Sequence, residues 1–591
     1  MKNRSEIDDN LKWDLTKFCK NDEEFYKRLE KIEKQIPQFK DYEGKLSDDS
    51  LLFECLEKEC ALAMEFSLVA IYAHLRLCED NADRKANDMN EKVSFVSVKF
   101  SNQTAFVDVE VTKFSKKKLL ELQGNERFAN YRRYFEGILR DKKHALSKSE
   151  ELLLSKLDEC LGGDGANFDK FSDVDLKFND ILDSKGNKHE LNHSNYSIYV
   201  ESKDRTLRKN AFAELNGKYG EFIHFVANNY INNVREDCVL AKIRKHKSAL
   251  SASIYAEEAS EKVYNQLIKK VRENIDVAYD YFEIKRRMLG LDKFAVYDNF
   301  AHVVGDMDKK FSYDEAIEII KKAVSPLGKD YVGLIQRAKD ERWIDVMPNK
   351  NKDSGAFCSG TYGATPVVLV NFEGNMESVF TLAHELGHAM HSYFSNKIQP
   401  FQTSDYVIFV AEVASTTNEM LLLRYLLKNA KTKNEKMYFY DHFLNQVKST
   451  IFRQTMFAEF EEFAHSEYEK ENPLSPELLC EYYEKLNKFY FGEKVEIIPQ
   501  IKYEWARIPH FYRSFYVYKY SIGLICAIHI SQKLLDDEKF AKSYIKFLSS
   551  GCANDPISLL KIADCDLTKN EIFDDAFATC REFVLNWKNL L

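Results

Sequence analysis

Two histidines and a glutamate in the run HELGH, His384, Glu385 and His388, have the types and the spacing to hold and use a divalent metal ion. Residues four apart on an α-helix differ by about 400° of rotation and about 6 Å of rise, so the two imidazoles leave one face and can reach a common ion. Glu385 follows the first imidazole by one position. That swings its carboxylate beside a water at the metal without making it a ligand, which is where a general base must stand. Zinc suits such donors and lowers the pKa of a bound water towards neutrality, so the chemistry implied is hydrolysis by activated water.

A catalytic zinc takes a third protein ligand. The metzincin arrangement fails here, because His391 and Phe394 stand where a glycine and a third histidine would be required. A carboxylate from another helix is therefore expected, and the segment IFVAEVASTTNEMLLLRYLL offers Glu412 and Glu419. Seven residues is two helical turns, so the two acids share a face. If one reaches the metal, the other lies about 10 Å along the same side, placed to orient a ligand histidine. The apolar and small residues around FVAEVAS mark a buried face rather than a solvated one.

The stretch WARIPHFYRSFYVYKYSIG, Trp505 to Gly523, crowds His510, Tyr512, Tyr516, Tyr518 and Tyr520 together. An imidazole and phenolic hydroxyls can donate hydrogen bonds to the oxyanion that forms when water attacks a peptide carbonyl. Aromatic core packing is the competing reading of the same composition.

These residues need elements to position them. Ser354 to Asn371 is rich in glycine and serine and ends in the β-branched run Pro366 to Val370, which reads as turns followed by one strand, open to an extended peptide added along it. Asn375 is placed to cap the next helix, with Glu377 in its first turn and Val379, Leu382, Ala383, Leu386 and Met390 on its packing face. Further helix starts are legible at Ser147 with Glu150, at Ser312 with Glu315, and at Ser475 with Pro476. The helix from Ser147 reads as ending in a loop at Gly162-Gly163-Asp164-Gly165. The turn Ser184-Lys185-Gly186-Asn187, between Phe178, Ile181 and Leu191, reads as a β-hairpin. Helical periodicity runs from about Asp204 to Leu289.

With only 10 Pro and 21 Gly among 591 residues, breakers are sparse, and a mainly α fold follows. The balance of 85 Lys+Arg against 94 Asp+Glu leaves a net charge of −9, without the basic face that phosphate binding needs, so no nucleic-acid partner is expected. The start MKNRSEIDDNLKWDL lacks the apolar run of a secretory leader. By run length no stretch reaches a membrane span, the longest being Gly523 to Ile530, so neither a leader nor a membrane partner is expected. Twelve cysteines scattered without a C-x-x-C pair read as reduced thiols of a cytoplasmic protein.

The chain resembles the oligoendopeptidase F group of the thimet oligopeptidase family of zinc metallopeptidases. The likeness rests on SGAFCSGTYG at 354–363, HELGHAMHSYFS at 384–395, FVAEVASTTNE at 409–419 and IPHFYRSFYVYKYSIG at 508–523, with weaker echoes in KWDL at 12–15 and YVESKDRTLRKNAF at 199–212. The resemblance implies two helical lobes around a deep substrate channel with a small β-sheet next to the zinc site. It also implies one zinc per chain held by His384, His388 and Glu412, with Glu385 activating water. It places His510 at the oxyanion and, with it, Tyr516 and Tyr520; the family spaces these tyrosines variably, so the register among Tyr512, Tyr516, Tyr518 and Tyr520 stays open.

The expectation is thus a cytoplasmic zinc metalloendopeptidase acting on short peptides, with no obligate protein partner, an N-terminal helical domain over 1–195 and a catalytic domain over 196–591. The rivals are a zinc aminopeptidase or carboxypeptidase acting on peptide ends, and a non-catalytic peptide-binding protein that keeps a structural metal.

Overall fold

A computed structural model describes residues 2–158, 160–305, 307 and 309–591. The chain is mainly α-helical, with seven strands of two or three residues among the described residues. It divides into two compact units, each drawn from three segments. The first comprises Met1–Lys143, Met307–Lys428 and Ile530–Cys565; the second comprises His144–Asp306, Asn429–His529 and Asp566–Leu591. Packing therefore follows a different partition from the division in chain order near residue 195.

In the first unit, α1 (Asp49–Glu79) packs between the helices Asp22–Gln35 and Arg84–Thr104. Asp48 caps α1 by accepting from the Ser50 and Leu51 amides. Its length and composition suffice for a membrane span, contrary to the run-length expectation. The charges that interrupt its apolar run are ion-paired within the unit: Glu65 with Arg28 at 2.7 Å and Arg76 with Glu79 at 2.7 Å. Leu62, Val69, Tyr72 and Leu75 of α1 belong to one buried cluster with Phe25, Ile32, Met89 and Val96, so these residues serve as core.

The same cluster takes in Val367 and Leu369, which ties the sheet of this unit to the helices. The sheet has β1 (Ile344–Asp345), β2 (Phe357–Ser359) and β3 (Val367–Leu369) in the order β1-β3-β2. Strand β1 runs parallel to β3, and β2 antiparallel to it, with Cys358 opposite Val368. This corrects the expectation that a peptide could add itself to Val367–Val370. That strand is central, its backbone is paired on both sides, and Val367, Val368 and Leu369 are fully buried. The free edge nearest in sequence is β2.

A buried ion cluster fixes β1 to α1. Arg4 reaches Glu79 at 2.8 Å and Asp345 at 2.6 Å, Lys352 reaches Asp345 at 2.7 Å, and the Trp13 indole donates to Glu79 at 2.7 Å. Burial works to raise the Asp345 acid, but Arg4 and Lys352 outweigh it and hold the carboxyl below its ordinary value. The Trp13 of KWDL thus has a structural role.

The second unit contains the expected hairpin, Ile181–Leu182 antiparallel to Lys188–His189, and a parallel pair of Phe294–Ala295 with Val495–Glu496. Helices start at the expected caps Ser147, Ser312 and Ser475 in their respective units. The glycine run does not form a loop throughout: Gly162 takes the left-handed conformation at φ 71°, and a helix then restarts over Gly163–Lys170. The Asn229 side chain, donating to the Asp164 carbonyl at 2.8 Å, helps hold that new turn. In YVESKDRTLRKNAF, Arg205 and Arg208 both grip the buried Asp298, at 2.7 and 2.8 Å.

Candidate metal centre

Two helices of the first unit carry the candidate ligands: α2 (Met376–Ile398) and α3 (Ile408–Asn429). The α2 helix starts where expected, with Asn375 accepting from the Ser378 amide at 2.8 Å. Val379, Leu382, Ala383, Leu386, Ala389 and Met390 are buried along one side, which turns His384 and His388 towards α3.

The two helices meet at Gly387. A Cβ built there would lie 2.5 Å from the Ser415 Cα and 2.9 Å from the Ala414 carbonyl oxygen, so no side chain fits at this position. The approach is held by Asn418 of α3, which donates to the Ala383 carbonyl at 3.1 Å while accepting from the buried Tyr331 hydroxyl at 2.8 Å. We expect Gly387→Ala to lower stability by about 1–3 kcal/mol despite the better helix propensity of alanine, because the two backbones must move apart. Thermal denaturation of the metal-free protein reads this directly. An unchanged melting temperature would show that the contact can relax at no cost.

This close crossing brings His384, His388 and Glu412 together, with one donor atom from each inside a span of 4.8 Å. Glu412 Oε2 is 3.6 Å from His384 Nε2 and 3.9 Å from His388 Nε2. Donors bonded tetrahedrally to zinc at about 2.0–2.2 Å stand roughly 3.4 Å apart, so both Glu412–histidine pairs are within a few tenths of an ångström of the spacing zinc needs. Ser415, one turn after Glu412, donates to the Glu412 carbonyl at 3.1 Å.

Glu419 lies on the same face of α3 and accepts from His384 Nδ1 at 2.5 Å. This bond fixes the ring and points Nε2 at Glu412. Burial disfavours the charged His384 ring, but the hydrogen bond and the charge of Glu419 outweigh it and raise the pKa to about 9 without a metal. Among the described residues His388 has no such carboxylate on its other ring nitrogen; burial, helped by the charge on His384, pushes it down to about 3. A cation held here would take the place of the proton on His384 Nε2, while the Nδ1 proton would stay with Glu419.

Glu385 points to the sheet rather than joining the donor set. It is 7% exposed, and its carboxylate takes a hydrogen bond from the Cys358 amide of β2. Burial pushes its pKa up to about 7; the charge of His384 opposes the rise and the charges of Glu412 and Glu419 add to it. Beneath His388, the Tyr406 ring stacks on His391 at 3.6 Å, and its hydroxyl meets the Ser392 hydroxyl at 2.7 Å.

His510, Tyr516 and Tyr520 belong to the second unit. Their rings form one partly exposed group, with Tyr520 6.1 Å from His510 and 5.5 Å from Tyr516. The neighbouring tyrosines turn inward: Tyr518 is buried against Tyr264 at 5.2 Å, and the enclosed Tyr512 packs on Phe168 at 4.9 Å. Between them Phe515 sits at φ 60°, a left-handed conformation costly for a bulky residue, secured by its amide donating to the buried Glu461 at 3.0 Å. Burial, helped by Arg513, lowers the His510 pKa below its ordinary value.

Gly387, Asn418, Tyr331 and Tyr406 escaped the sequence reading. Only Gly387 left a signal there: a glycine inside an otherwise good helix marks a close approach.

Residues 198–579 match the profile of peptidase family M3, and residues 110–178 match that of oligopeptidase F. Over 583 residues the chain is 36% identical to oligopeptidase PepF of Bacillus subtilis, covering 98% of this chain and 87% of that one. It is 35% identical over 578 residues to an oligoendopeptidase F homolog of Borreliella burgdorferi, covering 97% of each. A solved structure from Chlamydophila abortus shares 33% identity with a TM-score of 0.95, covering 100% of both chains. The solved oligoendopeptidase-F of Enterococcus faecium shares 29% identity with a TM-score of 0.74, covering 96% of this chain and 99% of that one.

Proposed function

The chain belongs to peptidase family M3 and is an oligopeptidase, and on that premise we propose that it is a cytoplasmic zinc metalloendopeptidase cutting internal bonds of short, unstructured peptides. The observation that carries the metal assignment is the convergence of His384, His388 and Glu412 to within 4.8 Å, with Glu385 beside them and outside the donor set. The M3 match over 198–579 supports a catalytic domain spanning 196–591 after an N-terminal domain of 1–195. Twelve free thiols support the cytoplasmic location.

One zinc ion per chain, when bound by these three residues, supplies a Lewis acid that polarises the scissile carbonyl and acidifies a water. Glu385 then acts as general base towards the attacking water and returns the proton to the leaving amine. Its buried position beside the donor set, and outside it, suits a group that takes and gives a proton at the reacting atoms. Glu419 keeps His384 oriented throughout. The edge strand β2, whose Cys358 amide is taken by Glu385, offers its remaining outward backbone groups to an extended peptide, in place of the central strand. His510, Tyr516 and Tyr520 are proposed as hydrogen-bond donors to the oxyanion and substrate, a role supported by the family likeness and by their grouping on one partly exposed surface.

Peptides blocked at both ends and carrying an internal fluorophore–quencher pair test this reading. We expect cleavage of the blocked peptide, abolished by a chelator and restored by zinc. Cleavage that requires a free terminus would assign the activity to an exopeptidase instead.

A further inference from the structure

The second compact unit holds a cavity of about 270 Å³ whose walls come from the helix Asp276–Met288, the segment 299–302 and the helical run Lys433–Glu469. That run is irregular at one place: between Gln446 and Arg453 the turn Val447–Phe452 is π-helical. Such turns are rare inside α-helices and are frequent at functional sites. Lys448, Ser449 and Phe452 of this turn all line the cavity.

Two ammonium groups border the space. Lys285, 2% exposed, donates to the Asn299 carbonyl at 2.6 Å, and Lys448 donates to Asn445 Oδ1 at 2.7 Å. Among the described residues neither has a carboxylate within 4.0 Å. The remaining cation, Arg453, is matched by Glu504 at 3.0 Å. Of the lining acids, Asp441 accepts from the Tyr281 hydroxyl at 3.0 Å, and Glu201 pairs with His302 at 3.1 Å. Asn299, 5% exposed, lines the cavity and has a side-chain oxygen with no hydrogen-bond partner. Charges of both signs are therefore held apart around a space walled by Phe300 and Phe452. Burial lowers Lys285 to about 8, and burial with the charges of Lys285 and Arg453 holds Lys448 well below its ordinary value. Lys285 is buried, whereas Lys448 and Asp441 are partly exposed; a buried charge without a matching partner is costly, and a ligand bearing the complementary pair would remove that cost.

We propose that this cavity is a second binding site, for a free α-amino acid with an apolar side chain. The carboxylate is held by Lys285 and Lys448, the ammonium by Asp441, and the side chain by Phe300 and Phe452. This site lies within one unit and shares no residue with the candidate metal centre.

Isothermal titration of the full-length protein with L-phenylalanine tests the proposal. Saturable binding is expected with or without metal, unchanged in Glu385→Gln. N-acetyl-L-phenylalanine and L-phenylalanine amide, each lacking one charge, are expected to bind about ten-fold or more weakly, as are Lys448→Met and Asp441→Asn towards L-phenylalanine, with peptide cleavage retained. The proposal is overturned if millimolar L-phenylalanine gives no saturable heat, or if both variants bind it as the parent does. Equal binding of the N-acetyl compound would overturn the zwitterion assignment in favour of a simple anion site. Because binding is read without turnover, failure here leaves the peptidase reading untouched.

Discussion

Glu385→Gln is expected to keep the metal and to lower kcat/KM for a blocked peptide by about three orders of magnitude or more. Glutamine fills the same volume against β2 and can still accept from the Cys358 amide, so neither the helix crossing nor the donor set loses a contact. It cannot take a proton from water. The loss therefore falls on kcat, with KM little changed, because Glu385 acts on the reacting atoms and not on the bound peptide as a whole. Parallel metal analysis separates this outcome from a damaged site. Turnover within ten-fold of the parent, in protein holding full metal, would remove Glu385 from the role of base.

The second large effect concerns the donors themselves. Truncation of His388 or Glu412 to alanine removes one of three protein ligands, and we expect zinc affinity to fall by about 3–4 kcal/mol, or two to three powers of ten, with activity falling alongside at limiting metal. Glu419→Gln should behave differently. It weakens the bond that orients His384 but leaves every donor in place, so a loss of about 10–100-fold is expected. Competition against a chromophoric chelator ranks the three variants. If Glu419→Gln cost more than Glu412→Ala, the two acids would have to exchange roles.

That exchange was the ambiguity the sequence left open on spacing alone. Seven residues put Glu412 and Glu419 on one face, and spacing alone does not say which of them joins His384 and His388 in one group of donors. The crossing is set by Gly387 against Ser415, a contact between backbones that no hydrophobic pattern encodes. The helix carrying HELGH was readable from its Asn375 cap and its buried face because both are local, one depending on a single side chain and the other on the 3.6-residue period. The strand at Val367–Leu369 was readable too, but its central position was not. Its partners β1 and β2 are two and three residues long, too short to show alternation.

Other features that the sequence did not disclose share that physical origin. The apolar character of α1 was hidden by Glu65 and Arg76, which break the run in sequence but are ion-paired within the fold. The two compact units draw on segments hundreds of residues apart, and periodicity carries no information about such contacts. For the tyrosines after His510, composition gave candidates without a register. In the fold, Tyr516 and Tyr520 lie beside His510 after the left-handed turn at Phe515, while Tyr518 enters the core.

The most direct measurement is zinc-edge anomalous diffraction from crystals of zinc-reconstituted protein. One zinc per chain is expected, about 2.0–2.2 Å from His384 Nε2, His388 Nε2 and a Glu412 oxygen, with Glu419 on His384 Nδ1 and Glu385 not coordinated. A peak on other side chains, or none at these three after reconstitution, would contradict the assignment of this centre.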